Sequence, residues 1–142
     1  MSSSAERNWA VDTSVALASL DASHEAHPAS RSAAMRYRPQ LAGHATFETY
    51  SVLTRLPGAL RVRPALARQV IRAAFPQSCW LSARAQDRLL VRIDELEIVG
   101  GAVYDALVGS AASSNGRVLL TRDARAERTY RLLGVDYELV GD

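Results

Sequence analysis

A chain of 142 residues, 48% hydrophobic, fits one compact domain with enough apolar material for a core, and a second domain is not expected. Its formal net charge is +2, yet all 17 basic residues are arginine; lacking lysine, the chain cannot form a Walker phosphate loop, a Schiff-base site or a phosphoryl-aspartate site of the receiver or haloacid-dehalogenase kind. The single cysteine, Cys79, excludes an internal disulfide framework and a cysteine zinc cluster, and reads as a small buried hydrophobe in a reducing cytosol.

Residues 1–7 read as a polar, flexible leader without the apolar stretch of a signal. No later run approaches the roughly 18 apolar residues of a membrane span, so a cytoplasmic protein is expected. Residues 9–11 predict a short buried strand, and 15–20 a helix that turns at 21–23. A second helix is expected over 25–37, with Pro28 tolerated in its first turn and Pro39 ending it. Residues 41–43 read as a weak strand. Phe47, Tyr50, Leu53 and Leu56 recur at three-residue steps and predict a helix over 46–56, stopped by Pro57-Gly58. Pro64 opens a helix that runs to 75, closed by Pro76. Residues 79–81 read as a third strand, and Ser82 as the N-cap of a helix over 83–96.

After the Gly100-Gly101 break an Ala-rich helix is expected over 102–113, and Asn115-Gly116 turns the chain into a strand over 117–121. A helix over 124–133, with Gly134 at its C-terminal side, and a strand over 135–140 complete the order. Strand and helix alternate with neither repeat nor linker. That pattern predicts one α/β domain over 1–142, a parallel sheet of about five strands sandwiched by helices.

On this layout four acids stand where a strand or loop gives way to a helix: Asp12, Glu48, Asp105 and Asp123. Asp12 and Asp123 directly follow apolar strands, so both belong to the carboxyl ends of a sheet, the edge that lines a ligand crevice in open α/β folds. Glu48 falls in a helix's first turn if Thr46 caps it, and Asp105 is an acid among apolar residues at another helix start. Carboxylates gathered in one crevice repel, and shared protons or divalent cations relieve the repulsion; cations are the reading preferred here. Taken singly, each acid has a plainer role. Glu48 can be a solvated acid on a stripe shared with Arg55, Asp105 a helix-start acid favoured by the dipole, and Asp12 and Asp123 helix caps. Only the four together lift the metal reading above these.

The remaining polar residues carry less. Asp87, Asp94, Glu95 and Glu97 follow one amphipathic helix and its exit, and Glu127 is expected to pair with a nearby arginine. His24, His27 and His44 lack a zinc partner set and are placed in surface loops. No Gly-x-Ser-x-Gly elbow occurs, and Ser14 has no evident histidine base. Arginines bind phosphate bidentately and suit nucleic acid, although Arg in place of Lys beside abundant Ala also follows from a GC-rich genome.

In Val11-Asp12-Thr13-Ser14-Val15, Thr46-Phe47-Glu48, Gly100 through Val108 with Tyr104-Asp105-Ala106 at its centre, and Leu119 through Ala126 with Leu120-Thr121-Arg122-Asp123, the chain resembles the PIN-domain ribonucleases, specifically the VapC toxins of bacterial toxin–antitoxin pairs. The likeness runs from about residue 9 to residue 140, with all four acids in the family's order and spacing; residues 61–96 match weakly. The resemblance implies a PIN-like fold in which Asp12, Glu48, Asp105 and Asp123 hold Mg²⁺ or Mn²⁺. Those ions would activate a water and steady the scissile phosphate of an RNA. It further implies Thr13, Ser14 and Thr121 as donors that orient the carboxylates, and Arg122, Arg125 and Arg128 as contacts to RNA phosphates. A homodimer is implied as well, and a cognate VapB-like antitoxin whose C-terminal tail fills the crevice.

The expected function is therefore a metal-dependent endoribonuclease toxin that cuts RNA and inhibits translation. One alternative is a catalytically silent PIN-like module that binds RNA or protein. A second, a small-molecule phosphatase or nucleotide-binding domain, is disfavoured because lysine, phosphate-loop glycines and an Asp-x-Asp after the first strand are all missing.

Overall fold

The computed structural model describes residues 7–141; of the leader expected over 1–7, residues 1–6 lie outside the described residues. Arg7 is held, its guanidinium donating to Glu138 at 2.7 Å and lying 4.7 Å from the Trp9 ring centroid. Five strands, β1 (Asn8–Val11), β2 (Gln40–Ala42), β3 (Ser78–Cys79), β4 (Arg117–Thr121) and β5 (Tyr137–Leu139), form one sheet in the order β3-β2-β1-β4-β5. Every pairing is parallel, with Val11 opposite Leu41 on one side and Leu120 on the other. The helices are α1 (Thr13–Leu20), α2 (His27–Tyr37), α3 (Ala45–Thr54), α4 (Pro64–Ala74), α5 (Ala83–Glu95), α6 (Ala102–Ser114) and α7 (Glu127–Leu132). This is the expected α/β architecture. Among the described residues no helix is long and apolar enough to cross a membrane.

Why the central strands read as unbroken apolar runs follows from their position. Strands covered by helices on both faces cannot alternate polar and apolar residues, and Trp9, Ala10, Val11, Val118, Leu119 and Leu120 are all buried. Strand order also fixes where a ligand can enter. The chain builds outward from β1 to β2 and β3, then returns to the far side of β1 for β4 and β5. The switch point lies between β1 and β4, and the crevice beyond their carboxyl ends is where open α/β sheets bind ligands.

Several boundaries differ from expectation, each for a local reason. Helix α2 starts at His27 rather than 25, because residues before it form a turn: Asp21 accepts from the Ser23 backbone N–H at 3.0 Å, and His24 Nδ1 from the Ala26 N–H at 3.0 Å. Helix α3 begins at Ala45 with His44 at its N-cap, so Thr46 is not the cap; its hydroxyl instead bonds Ser78 at 2.7 Å. Helix α7 begins at Glu127, three residues later than expected, since Asp123 accepts from the Arg125 N–H at 3.0 Å and forms a side-chain turn first. Strands β3 and β5 are shorter than read. Ser82 does cap α5, accepting from the Ala85 N–H at 3.1 Å.

Gly43, at the end of β2, adopts φ +46°, and a Cβ built on it would lie 3.2 Å from the Ala111 side chain. Glycine there lets α6 pass close over the sheet. Cys79 is buried, and burial pushes its thiol up, as a small buried hydrophobe requires.

Candidate active site

The crevice at the switch point is organised around Asp12. It follows β1, caps α1, and its backbone N–H extends the β1–β4 ladder by donating to the Leu120 carbonyl at 3.2 Å. Only 5% exposed, its carboxylate has two donors on each oxygen. Oδ1 accepts from the Ser14 hydroxyl at 2.5 Å and the Val15 N–H at 3.2 Å; Oδ2 accepts from the Thr121 hydroxyl and from the Tyr130 hydroxyl at 3.0 Å. Burial drives the Asp12 pKa upward, while these four hydrogen bonds pull the other way by favouring the charged form. An acid so enclosed is a structural keystone as well as a reactive group.

Two of its donors tie in the loop after β4. Thr121, fully buried, accepts from the Asp123 N–H at 3.1 Å while donating to Asp12. Ser14 accepts from the Arg122 N–H at 2.8 Å. Residues 121–123 are thus strapped to Asp12 by backbone and side chain together, and Asp123 is carried to the same crevice. Thr13, the third expected donor, opens α1 beside them; the hydrogen bonds to Asp12 come from Ser14, Val15, Thr121 and Tyr130.

Asp105 stands in the first turn of α6 and Glu48 in the first turn of α3, where helix N-termini face the crevice acids. The Asp105 carboxyl is pushed up to about 6, first by burial and then by the charges of Asp123, Asp12 and Glu48. Asp123, Asp12 and Glu48 therefore each lie within electrostatic reach of Asp105. Glu48 is more open, with His44 Nε2 at 4.0 Å, and His44 stacks on Tyr104 with ring centroids 5.0 Å apart. His44 lies in the turn between β2 and α3 with its side chain partly exposed, in keeping with its expected place in a surface loop.

The arginines divide. Arg122 turns its guanidinium to the carbonyls of Val140 and Gly141, at 3.1 and 3.2 Å. Arg125 is 95% exposed with its Nε 3.6 Å from Asp123 Oδ1, and Arg128 is exposed on α7. Glu127 pairs with Arg131 at 3.6 Å, as expected for a nearby arginine. Tyr130 falls within the family resemblance as Thr129-Tyr130, which assigns it no role at the site. Its partner is 118 positions away, and no local spacing announces it. Burial and the neighbouring acids push its hydroxyl far up, so it stays protonated and serves Asp12 as a donor.

The donor chemistry is all oxygen: four carboxylates with hydroxyls behind them. Among the described residues no three His, Cys, Asp or Glu side chains are already grouped tightly enough to grip an ion. The negative charge that lifts Asp105 is nevertheless what a hard divalent cation would neutralise, and Mg²⁺ or Mn²⁺ fits such a set by charge and ligand type. Side-chain rotation at the more open Glu48 and Asp105 is the freedom available for closing on one.

Comparison with known proteins gives the family of the chain. Residues 10–132 match the family described as PIN domain. The chain is 47% identical over 126 residues to Ribonuclease VapC27 of Mycobacterium tuberculosis (strain ATCC 25618 / H37Rv), spanning 89% of this chain and 92% of that protein. It is 44% identical over 133 residues to Ribonuclease VapC40 of Mycobacterium tuberculosis (strain CDC 1551 / Oshkosh), spanning 92% of this chain and 98% of that one.

Proposed function

This chain belongs to the PIN-domain family, in its VapC branch, and we propose that it is a Mg²⁺- or Mn²⁺-dependent endoribonuclease toxin that cuts RNA, inhibits translation and is neutralised by a cognate VapB-like antitoxin. The observation that supports the reading is the placing of Asp12, Glu48 and Asp123 about Asp105, whose carboxyl is raised first by burial and then by the charges of those three. When bound, a hard divalent cation supplies Lewis acidity to the scissile phosphate and to a water.

The protein's own residues do the rest. Asp12 is locked in one orientation by Ser14, Thr121, Val15 and Tyr130. Through the strap of residues 121–123, Asp123 keeps a fixed relation to it. Glu48 and Asp105 complete the negative face from the first turns of two helices. Arg125 and Arg128, exposed beyond Asp123, are the side chains best placed to meet RNA phosphates, whereas Arg122 would have to leave the Val140 and Gly141 carbonyls. Exposed Phe47, Trp80 and Leu90 offer apolar surface for a protein partner, in keeping with a homodimer or an antitoxin, and the site of action would be the cytoplasm.

The alternative, a silent PIN-like binding module, is tested by Glu48→Gln. Glu48 has no buried hydrogen bond and a half-open side chain, so the change is expected to shift stability by no more than about 0.5 kcal/mol. Cleavage should fall roughly 10–100-fold from loss of one carboxylate. Expressed without antitoxin, the unaltered chain should arrest growth and the Gln variant should relieve the arrest. Equal toxicity from both, at equal expression, would favour the binding module.

A further inference from the structure

We infer that Tyr130 is a positioning residue for Asp12: a strut that holds that carboxylate in register with α6, the helix that carries Asp105, and thereby governs metal affinity. The inference deepens the metal-dependent reading above and rests on it.

Tyr130 is 1% exposed, and its hydroxyl donates to Asp12 Oδ2 at 3.0 Å. Thr121 donates to the same oxygen, and both bonds are buried. On Oδ1 the bond from the Val15 N–H is buried too, and the bond from Ser14 is part-buried. Of the four hydrogen bonds to the carboxylate only the one from Ser14 is therefore part-buried, and two buried hydroxyls hold Oδ2. Removing one of them frees the carboxylate to turn about its Cβ–Cγ bond.

The ring, meanwhile, has almost no freedom to move. A Cβ at Gly109 would lie 2.9 Å from Tyr130 Cδ1 and 2.9 Å from Val135 Cγ2, so the ring is seated directly on the α6 backbone. Gly109 comes four residues after Asp105, one turn further along the same face of that helix. Tyr137 covers another side, with ring centroids 5.7 Å apart. One side chain thus touches Asp12 at its tip and the Asp105 helix along its ring, which ties the position of the Asp12 carboxylate to that of α6. A phenylalanine would fill the same space, so packing alone does not call for the hydroxyl.

The test is Mn²⁺ binding by isothermal titration calorimetry on purified, antitoxin-free protein, with RNA cleavage measured against Mn²⁺ concentration in parallel. Tyr130→Phe should raise the Mn²⁺ Kd about tenfold and shift the half-saturating Mn²⁺ for cleavage by the same factor, with kcat at saturating metal less affected. Gly109→Ala keeps every polar group but displaces the ring, and should weaken Mn²⁺ binding too. Ala67→Val, which overpacks α4 away from the site, should lower stability and leave Mn²⁺ affinity unchanged. Unchanged Mn²⁺ affinity in Tyr130→Phe and Gly109→Ala, with cleavage by the unaltered protein still metal-dependent, would overturn this inference alone. Cleavage by the unaltered protein that persists in EDTA would overturn the metal reading together with it.

Discussion

Asp12→Ala is expected to lower RNA cleavage by on the order of a thousandfold and to destabilise the fold as well. Both effects come from the same carboxylate. It is the enclosed member of the acidic set, and it is the acceptor for three hydroxyls and a backbone N–H. Truncation relieves the cost of burying a charge but leaves the Thr121 and Tyr130 hydroxyls buried without their acceptor. Each orphaned group costs roughly 1–3 kcal/mol, so a net loss of about 1–3 kcal/mol is expected after the relief is counted. The strap of residues 121–123 should loosen at the same time, because Ser14 and Thr121 both lose the partner that fixes them. Urea denaturation read by circular dichroism, beside a cleavage assay, checks the pair of effects. An alanine variant that unfolds at the same urea concentration as the unaltered chain would contradict the keystone role even if cleavage were lost.

Asp105→Asn should abolish most cleavage and yet stabilise the protein in metal-free buffer. The sign follows from linkage. In the fold its carboxyl is raised from 3.8 to about 6, so between those values the native state holds a proton that the unfolded state has released. Stability therefore falls as pH rises through that window, and above about 6 the full penalty of a charged, half-buried acid facing three others is present. Asparagine removes the charge. Undiluted, a carboxyl raised that far would oppose folding by about 3 kcal/mol. Solvent screening at a half-buried group brings the expected gain to about 1 kcal/mol, or roughly 3 °C in Tm, at pH 7.5. Near pH 4 the gain should vanish, since the native aspartic acid is then neutral too. Thermal melts in EDTA at the two pH values read this directly; a variant less stable than the unaltered chain at pH 7.5 would contradict the electrostatic picture of the cluster. Functional carboxylates that oppose stability are a common consequence of assembling like charges for binding.

What could be read from the sequence tracks what is local. Asp12 and Asp123 were legible because parallel strands buried on both faces show as continuous apolar runs, and a residue ending such a run must lie at the sheet's carboxyl edge. Glu48 was placed correctly in a first helical turn for the wrong cap: Thr46 looks like an N-cap, but its hydroxyl is claimed by Ser78 of a distant strand, and the helix starts at Ala45 with His44 at its N-cap. The late start of α7 was hidden for a related reason, since Asp123 bends the backbone with its own side chain before the helix can begin. Ser14 and Thr121 were anticipated as donors through family resemblance, and both bond Asp12. Tyr130 was not anticipated. Its hydroxyl and its acceptor meet only after β4, α7 and β1 have packed, and an aromatic on a short amphipathic helix reads as core until that happens. Arg122 was expected as a phosphate contact through family resemblance; its hydrogen bonds to the Val140 and Gly141 carbonyls, which depend on how β5 ends, had no sequence signal.

Whether the four acids support metal-dependent cutting of RNA is the central question. The most direct measurement incubates purified, antitoxin-free protein with total cellular RNA in Mg²⁺, in Mn²⁺ and in EDTA, and maps new 5′ ends by sequencing. Discrete ends that appear with either metal, and are absent in EDTA and from Asp105→Asn, are the predicted result. No new ends with either metal, from protein shown to be folded by circular dichroism, would contradict it and leave the silent binding module standing.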